Sequence, residues 1–157
     1  MTDEDTPRVP PQRTGARGCT TALELQVLVC PGLSVPVAAL LRYHPAEPYS
    51  VHLDNHVDLT TPVTWVFARE LLAAGLDGRT GTGDVSVHPG AGDAPDALFI
   101  VLGGEEGTVV LRAQASQVRS FLADTERLVP FGSEHEHLDL DGLLRRLLGG
   151  GPPPPEP

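Results

Sequence analysis

The chain has 157 residues, with 21 acidic against 11 basic side chains, a formal net charge of -10, and only 4% aromatic residues. That size allows one modest globular domain, and the acidity argues against a polyanionic partner, because nucleic-acid surfaces work by setting Lys and Arg beside phosphates. No apolar run reaches the roughly 18 to 20 residues that cross a bilayer, and Met1 to Gly18 carries charges where a signal peptide needs its apolar stretch, so a cytoplasmic protein is expected.

Residues 1–18 hold Pro7, Pro10 and Pro11 among Arg, Asp, Thr and Gly, and read as a disordered tail. At the other end Gly149, Gly150 and Gly151 run into Pro152 to Pro155, which can neither continue a helix nor fill a core. The domain is therefore 19–148. The two ends carry four of the acidic and three of the basic residues, so the domain keeps 17 acidic and eight basic, a net of -9. Every basic residue is Arg.

Leu23, Leu25, Val27 and Val29 alternate with Glu24, Gln26, Leu28 and Cys30, the pattern of a strand partly covered on its second face. Pro31 and Gly32 turn the chain into a second strand at 36–43, and Pro45 and Pro48 separate that from a third at 49–57, giving an antiparallel meander. VTWVF at 63–67 is predicted as a fourth strand, because β-branched and aromatic residues crowd it. A short helix at 68–74 follows, with Leu71 and Leu72 sharing a buried face with Ala68 and Gly75 suited to a left-handed cap.

GRTGTGD, Gly78 to Asp84, reads as a turn into a strand at 84–88. The apolar run ALFIVL at 97–102 is expected to be a central strand covered on both faces, with TVVLRA at 108–113 as its companion. A helix at 115–128 puts Ala115, Val118, Phe121, Leu122, Thr125 and Leu128 on one stripe. The last helix starts at Asp139 as N-cap and presents Leu140, Leu143, Leu144, Leu147 and Leu148. Helices this short are marginal alone in water, so it docks either on its own sheet, the first expectation, or on a neighbouring subunit.

Residues that suggest chemistry have ordinary explanations. Gly78, Gly81 and Gly83 match no phosphate-binding fingerprint and lead into a strand, where the N–H groups of a helix N-terminus are missing. His52 and His56 are spaced for a metal on a helix but fall in a strand, some 13 Å apart. His135 and His137 would point the same way in extended geometry, yet a third zinc ligand is not evident and a solvated connector is the simpler reading. The serines lie in no nucleophile elbow, and Cys19 and Cys30 lack the positive surroundings of a reactive thiolate. No active site, metal or cofactor is expected.

Four segments taken together, LLRYHPAEPYSVH at 40–52, WVFARELLAAGL at 65–76, GTGDVSVHP at 81–89 and GSEHEHLDLD at 132–141, resemble the SsgA-like proteins, sporulation and cell-division regulators of filamentous actinobacteria. The resemblance covers about 21–148. It implies an α+β fold of two antiparallel sheets packed across one another with helices, similar to the Whirly type of single-stranded nucleic-acid-binding protein, which agrees with about seven strands and three helices read from the pattern. It implies a non-enzymatic adaptor, a homotrimer acting at the division septum by contacts with division or cell-wall proteins such as FtsZ or a sister family member.

Carried over by the resemblance, Gly132 and Glu134 fall in the loop where family members differ in partner contact. Phe131 beside them is either an interaction anchor or a plug for the core beneath, two roles that look identical in sequence. Trp65 and Phe67 are expected in the core and Arg69 in a salt bridge. The two tails and Glu70, where the family motif usually has Asp, mark a divergent or specialised paralogue. The competing reading, a single-stranded nucleic-acid-binding protein of Whirly-like fold, needs a basic track and base-stacking aromatics that this composition disfavours.

Overall fold

Odd-numbered residues of the first strand point inward and even-numbered ones outward, and this single period organises the molecule. The computed structural model describes residues 17–56, 60–105 and 107–149; the expectations for 1–16 and 150–157 lie outside them. Strands β1 (Cys19–Cys30), β2 (Leu33–Tyr43), β3 (Ser50–Asn55) and β4 (Val63–Ala68) form the predicted meander, followed by helix α1 (Arg69–Gly75). Strands β5 (Val85–Pro89), β6 (Ala97–Gly104) and β7 (Gly107–Gln114) lead into α2 (Ala115–Leu128), a 3-10 turn (Glu134–His137) and α3 (Leu140–Gly149). Among the described residues the fold is α+β, with seven antiparallel strands and three helices.

The strands form one sheet, in the order β4-β3-β2-β1-β7-β6-β5, not the two expected. The reason lies at β1. It pairs with β2 along nearly its whole length but with β7 only over Gln26 to Leu28 against Arg112 to Val110. β7 turns into α2 at Ala115, so beyond Gln26 the two strands splay. A cleft of about 410 Å³ opens there, lined by residues that include Glu24, Asp96, Arg112 and Gln117. Halves of four and three strands thus stay joined by a narrow waist.

The inner rows meet in one core: Leu23, Leu25, Leu41 and Leu53 from the first half, and Leu98, Ile100 and Leu111 from the second, are all buried, closed over by Leu72 of α1 and by Val118 and Phe121 of α2. The stripe predicted for α2 is the one it buries, with Leu128 at its half-buried end. Phe67 is in the core, while Trp65 is only half-buried.

Three expectations are corrected. β6 lies next to the sheet edge instead of at the centre, and its outward Phe99 and Val101 are half-buried. Phe99 is sheltered there by the His88 ring stacked on it at 5.1 Å, so an unbroken apolar run arises without a second layer. Ala68 ends β4 and is exposed, leaving Leu72 as the buried leucine of α1 and Leu71 half-buried. Gly75 is not a left-handed cap. It packs so tightly on β5 that an added Cβ would meet Val87 Cγ1 at 2.2 Å, so its hydrogen is needed for close approach. The predicted glycine turn does hold, with Gly81 at φ +105° and Thr80 bridged to Val87.

On the outer face Arg42, Asp54 and Thr64 join three adjacent strands: Arg42 Nη2 donates to Asp54 Oδ1 at 3.0 Å and Thr64 Oγ1 donates to the same oxygen at 2.6 Å. The Arg42 hydrogen bond holds the Asp54 carboxyl below its ordinary range, against the opposing effect of burial, with Thr64 adding to it.

Candidate partner-binding site

Arg69 opens α1, where the chain leaves β4, and its backbone N–H donates to Tyr49 O at 2.8 Å. This start aims the side chain under the sheet end, where it is only 1% exposed. Its guanidinium lies between two rings, with Cζ 4.9 Å from the Tyr43 centroid and 4.2 Å from that of Phe131. Nη1 donates to Val129 O at 2.7 Å and to Thr125 O at 3.3 Å, the second of which also accepts the Val129 N–H at 2.9 Å where α2 ends. Nη2 donates to Glu134 Oε1 at 2.7 Å, the salt bridge expected of Arg69.

Glu134 spends its second oxygen on the loop itself, accepting the Gly132 N–H at 2.8 Å. Gly132 sits at φ +93°, a left-handed conformation open to glycine and strained for other residues. Ser133 Oγ donates to Pro130 O at 2.7 Å and closes the turn. Burial works against the charged Glu134 carboxylate, but hydrogen bonds from its own backbone, from Arg69 and from Gly132 outweigh it, and the carboxyl is held below its ordinary range. Burial raises the Tyr43 hydroxyl above its usual value, and Tyr43 Oη donates to Pro48 O at 3.0 Å.

The structure therefore brings Phe131, Gly132 and Glu134 together and fastens them to one buried cation. Phe131 holds both roles left open by sequence: one face covers Arg69, while the residue remains 39% exposed. Beside it Tyr49 is 50% exposed, and the two border a depression of about 220 Å³ that also reaches Glu70. Tyr49 and the Arg69 hub were not predicted as one site. The pair to Glu134 spans 65 residues, and no local spacing encodes it.

The histidines are not gathered. His52 contacts Glu47 at 3.5 Å, whereas His56 follows β3 at φ +58°. His135 and His137 lie exposed in a 3-10 turn, where residues two apart point in different directions. Among the described residues no three His, Cys, Asp or Glu side chains are grouped to hold a metal. Cys19 and Cys30 are free thiols at opposite ends of β1, and burial raises the Cys19 thiol further. Among the described residues no helix is long and apolar enough to cross a membrane.

Fold and site together define a small α+β protein with a ring-bearing loop fastened to a buried arginine at one end of a seven-stranded antiparallel sheet. A family model described as "Streptomyces sporulation and cell division protein, SsgA" matches residues 37–134, and the chain belongs to that family. It is 45% identical over 126 residues to the sporulation-specific cell division protein SsgB of Streptomyces coelicolor, covering 80% of this chain and 92% of that one. The SsgB of Kineococcus radiotolerans is 40% identical over 150 residues, covering 94% and 88%. A solved structure from work on SsgB mutations that correlate with longitudinal cell division in S. coelicolor superposes with a TM-score of 0.73 at 43% identity, over 77% of this chain and 95% of that one. The SsgA-like sporulation-specific cell division protein of Thermobifida fusca gives 0.75 at 34%, over 86% and 98%.

Proposed function

We propose that this protein regulates sporulation-associated cell division as a non-enzymatic, oligomeric adaptor. Its 130–134 loop contacts a division or cell-wall protein, such as FtsZ or another SsgA-like protein, at the septum. The observation that carries the reading is Phe131: an aromatic side chain held rigid by a buried guanidinium yet open to solvent beside Tyr49. A ring fixed before contact loses little conformational freedom on binding, which favours a hot spot. Family membership supplies the process. The nucleic-acid alternative draws little support from charge: of the eight arginines in the domain, Arg42, Arg69 and Arg127 are paired with Asp54, Glu134 and Asp124, and the domain's net charge is -9.

The test is binding of the purified chain to FtsZ and to sister family members, with Phe131→Ala and Tyr49→Ala variants alongside. A tenfold or greater loss of affinity in Phe131→Ala is expected at a temperature where circular dichroism shows the variant still folded, its melt lowered by the lost contact with Arg69. A fluorescent fusion that stays diffuse through septation, together with a deletion that leaves division unaltered, refutes the reading.

A further inference from the structure

The five leucines of the α3 stripe are 40–84% exposed, so the docking on its own sheet first expected of that helix does not occur. An apolar stripe alone does not specify the chemistry of what meets it. The depression beside the partner loop does. Two rings border it, Tyr49 at 50% and Phe131 at 39% exposure, together with the carboxylate of Glu70. Glu70 is exposed and enters no ion pair among the described residues.

These three groups are held in place from beneath. Tyr49 O accepts the Arg69 N–H at 2.8 Å, which ties one ring-bearing segment to the start of α1, and Glu70 is the next residue of that helix. Phe131 lies on the Arg69 guanidinium, and the Gly132 N–H after it is held by Glu134. The charged groups lining the depression are one guanidinium, Arg69, and two carboxylates, Glu70 and Glu134. Arg69 and Glu134 offset each other through their 2.7 Å contact, so Glu70 leaves one negative charge over. Arg69 Nε has no hydrogen-bond partner among the described residues, but it is sealed from solvent and presents no donor to an entering group.

We propose that this depression seats an arginine side chain of the partner protein. This rests on the adaptor reading above and names what its loop recognises. An aromatic face attracts a cation through the ring quadrupole. A guanidinium is also planar, so it lies flat on a ring while its N–H groups reach a carboxylate at the edge. The fold already makes this contact once, with Arg69 against the buried side of Phe131 and Glu134 at the edge of the guanidinium. The depression offers the same two kinds of group, ring and carboxylate, to a cation from outside. An apolar side chain seated there takes water from Glu70 and gives it no partner, and an acidic one opposes it. The domain's net charge of -9 further draws a basic segment to this surface before contact.

The experiment is an NMR titration of the full chain with two blocked tripeptides, Gly-Arg-Gly and Gly-citrulline-Gly, which share a shape and differ in charge. The arginine peptide is expected to shift the Tyr49 and Phe131 ring resonances and to saturate in the millimolar range. The citrulline peptide is expected to bind about tenfold more weakly. Glu70→Gln, at an exposed position, is expected to weaken the arginine peptide about threefold and to leave the citrulline peptide unchanged. Equal titration by the two peptides, no shift at either ring, or an equal loss of both peptides in Glu70→Gln overturns the site. The partner-binding assay separates this contact from the reading beneath it. If Phe131→Ala loses the partner while Glu70→Gln binds it as the wild type does, the arginine contact is overturned and the adaptor loop stands. If Phe131→Ala binds the partner as the wild type does, the adaptor loop and this contact are overturned together.

Discussion

Arg69 and Glu134, 65 residues apart in sequence, meet through a 2.7 Å hydrogen bond that holds the candidate partner loop on the core. The pair is asymmetric: Arg69 is almost completely buried, whereas Glu134 keeps 13% of its side chain exposed. Losing the acid therefore strands a buried cation, and losing the base takes the side-chain donor from the Val129 carbonyl, while the Thr125 carbonyl keeps the Val129 N–H.

Glu134→Ala is expected to destabilise the protein by about 3 kcal/mol or more, the cost of breaking a buried pair from one side. Glu134→Gln does not restore it fully. One Gln oxygen can accept from Arg69, but its amide then presents a donor to the Gly132 N–H. Urea denaturation of the three proteins measures the order, wild type above Gln above Ala; equal midpoints for wild type and Ala refute it.

Gly132→Ala separates loop shape from core stability. Nothing lies within 4 Å of the added Cβ, so the cost is the left-handed backbone alone, about 1–2 kcal/mol. The loop relieves that strain by leaving φ +93°, which pulls the Gly132 N–H off Glu134. Loss of partner binding with a melting shift of only a few degrees is expected. Gly32→Ala, at φ +80° in equally open space in the β1–β2 turn, is the control that strains the backbone and leaves binding intact.

Much of the fold was legible because its signals are local. The β1 to β4 meander follows from alternation and turn residues, α2 from its apolar stripe, and the start of α3 from Asp139. What was misread depends on distant partners. Alternation says that β1 and β7 are strands but not that they share three residue pairs, which is what makes one sheet of two halves. An apolar run cannot tell a central β6 from one sheltered by His88. Glu and His in alternation look extended, yet capping of the turn by backbone bonds makes 134–137 a 3-10 turn. At the site, Phe131, Gly132 and Glu134 were named from the sequence, while the cation beneath them and Tyr49 beside them required the packing of α1 under the loop.

Gly75 and Val87 are predicted to be energetically coupled. Gly75→Ala improves helix propensity by roughly 0.5–1 kcal/mol, but the new methyl collides with Val87 at a contact no core tolerates. Overpacking of this kind costs about 1–3 kcal/mol, so net destabilisation is expected. Val87→Ala alone leaves a cavity in the core. The double variant fills that cavity with the alanine of α1 and is expected to be more stable than the sum of the two losses by over 0.5 kcal/mol. Strict additivity in a denaturation cycle refutes the contact.

Asp54 makes the acid limb of stability testable. Its carboxyl is held below the ordinary range, first by the Arg42 hydrogen bond and then by Thr64. In the unfolded chain it titrates near about 3.9. Between the two values the unfolded state binds the extra proton, so stability rises with pH there. The contribution is full above the unfolded value and drains away as pH falls through the folded one. Glu134, likewise depressed, adds to the same limb. Asp54→Asn removes one titrating group, so its urea midpoint between pH 6 and pH 3 is expected to fall less steeply than that of the wild type, from a lower start. If the two curves run parallel, the Arg42–Asp54 pair contributes nothing to folding. Because this cluster faces away from the loop, the same variant is expected to bind a partner at pH 7 as the wild type does, a result that separates a loss of stability from a loss of recognition.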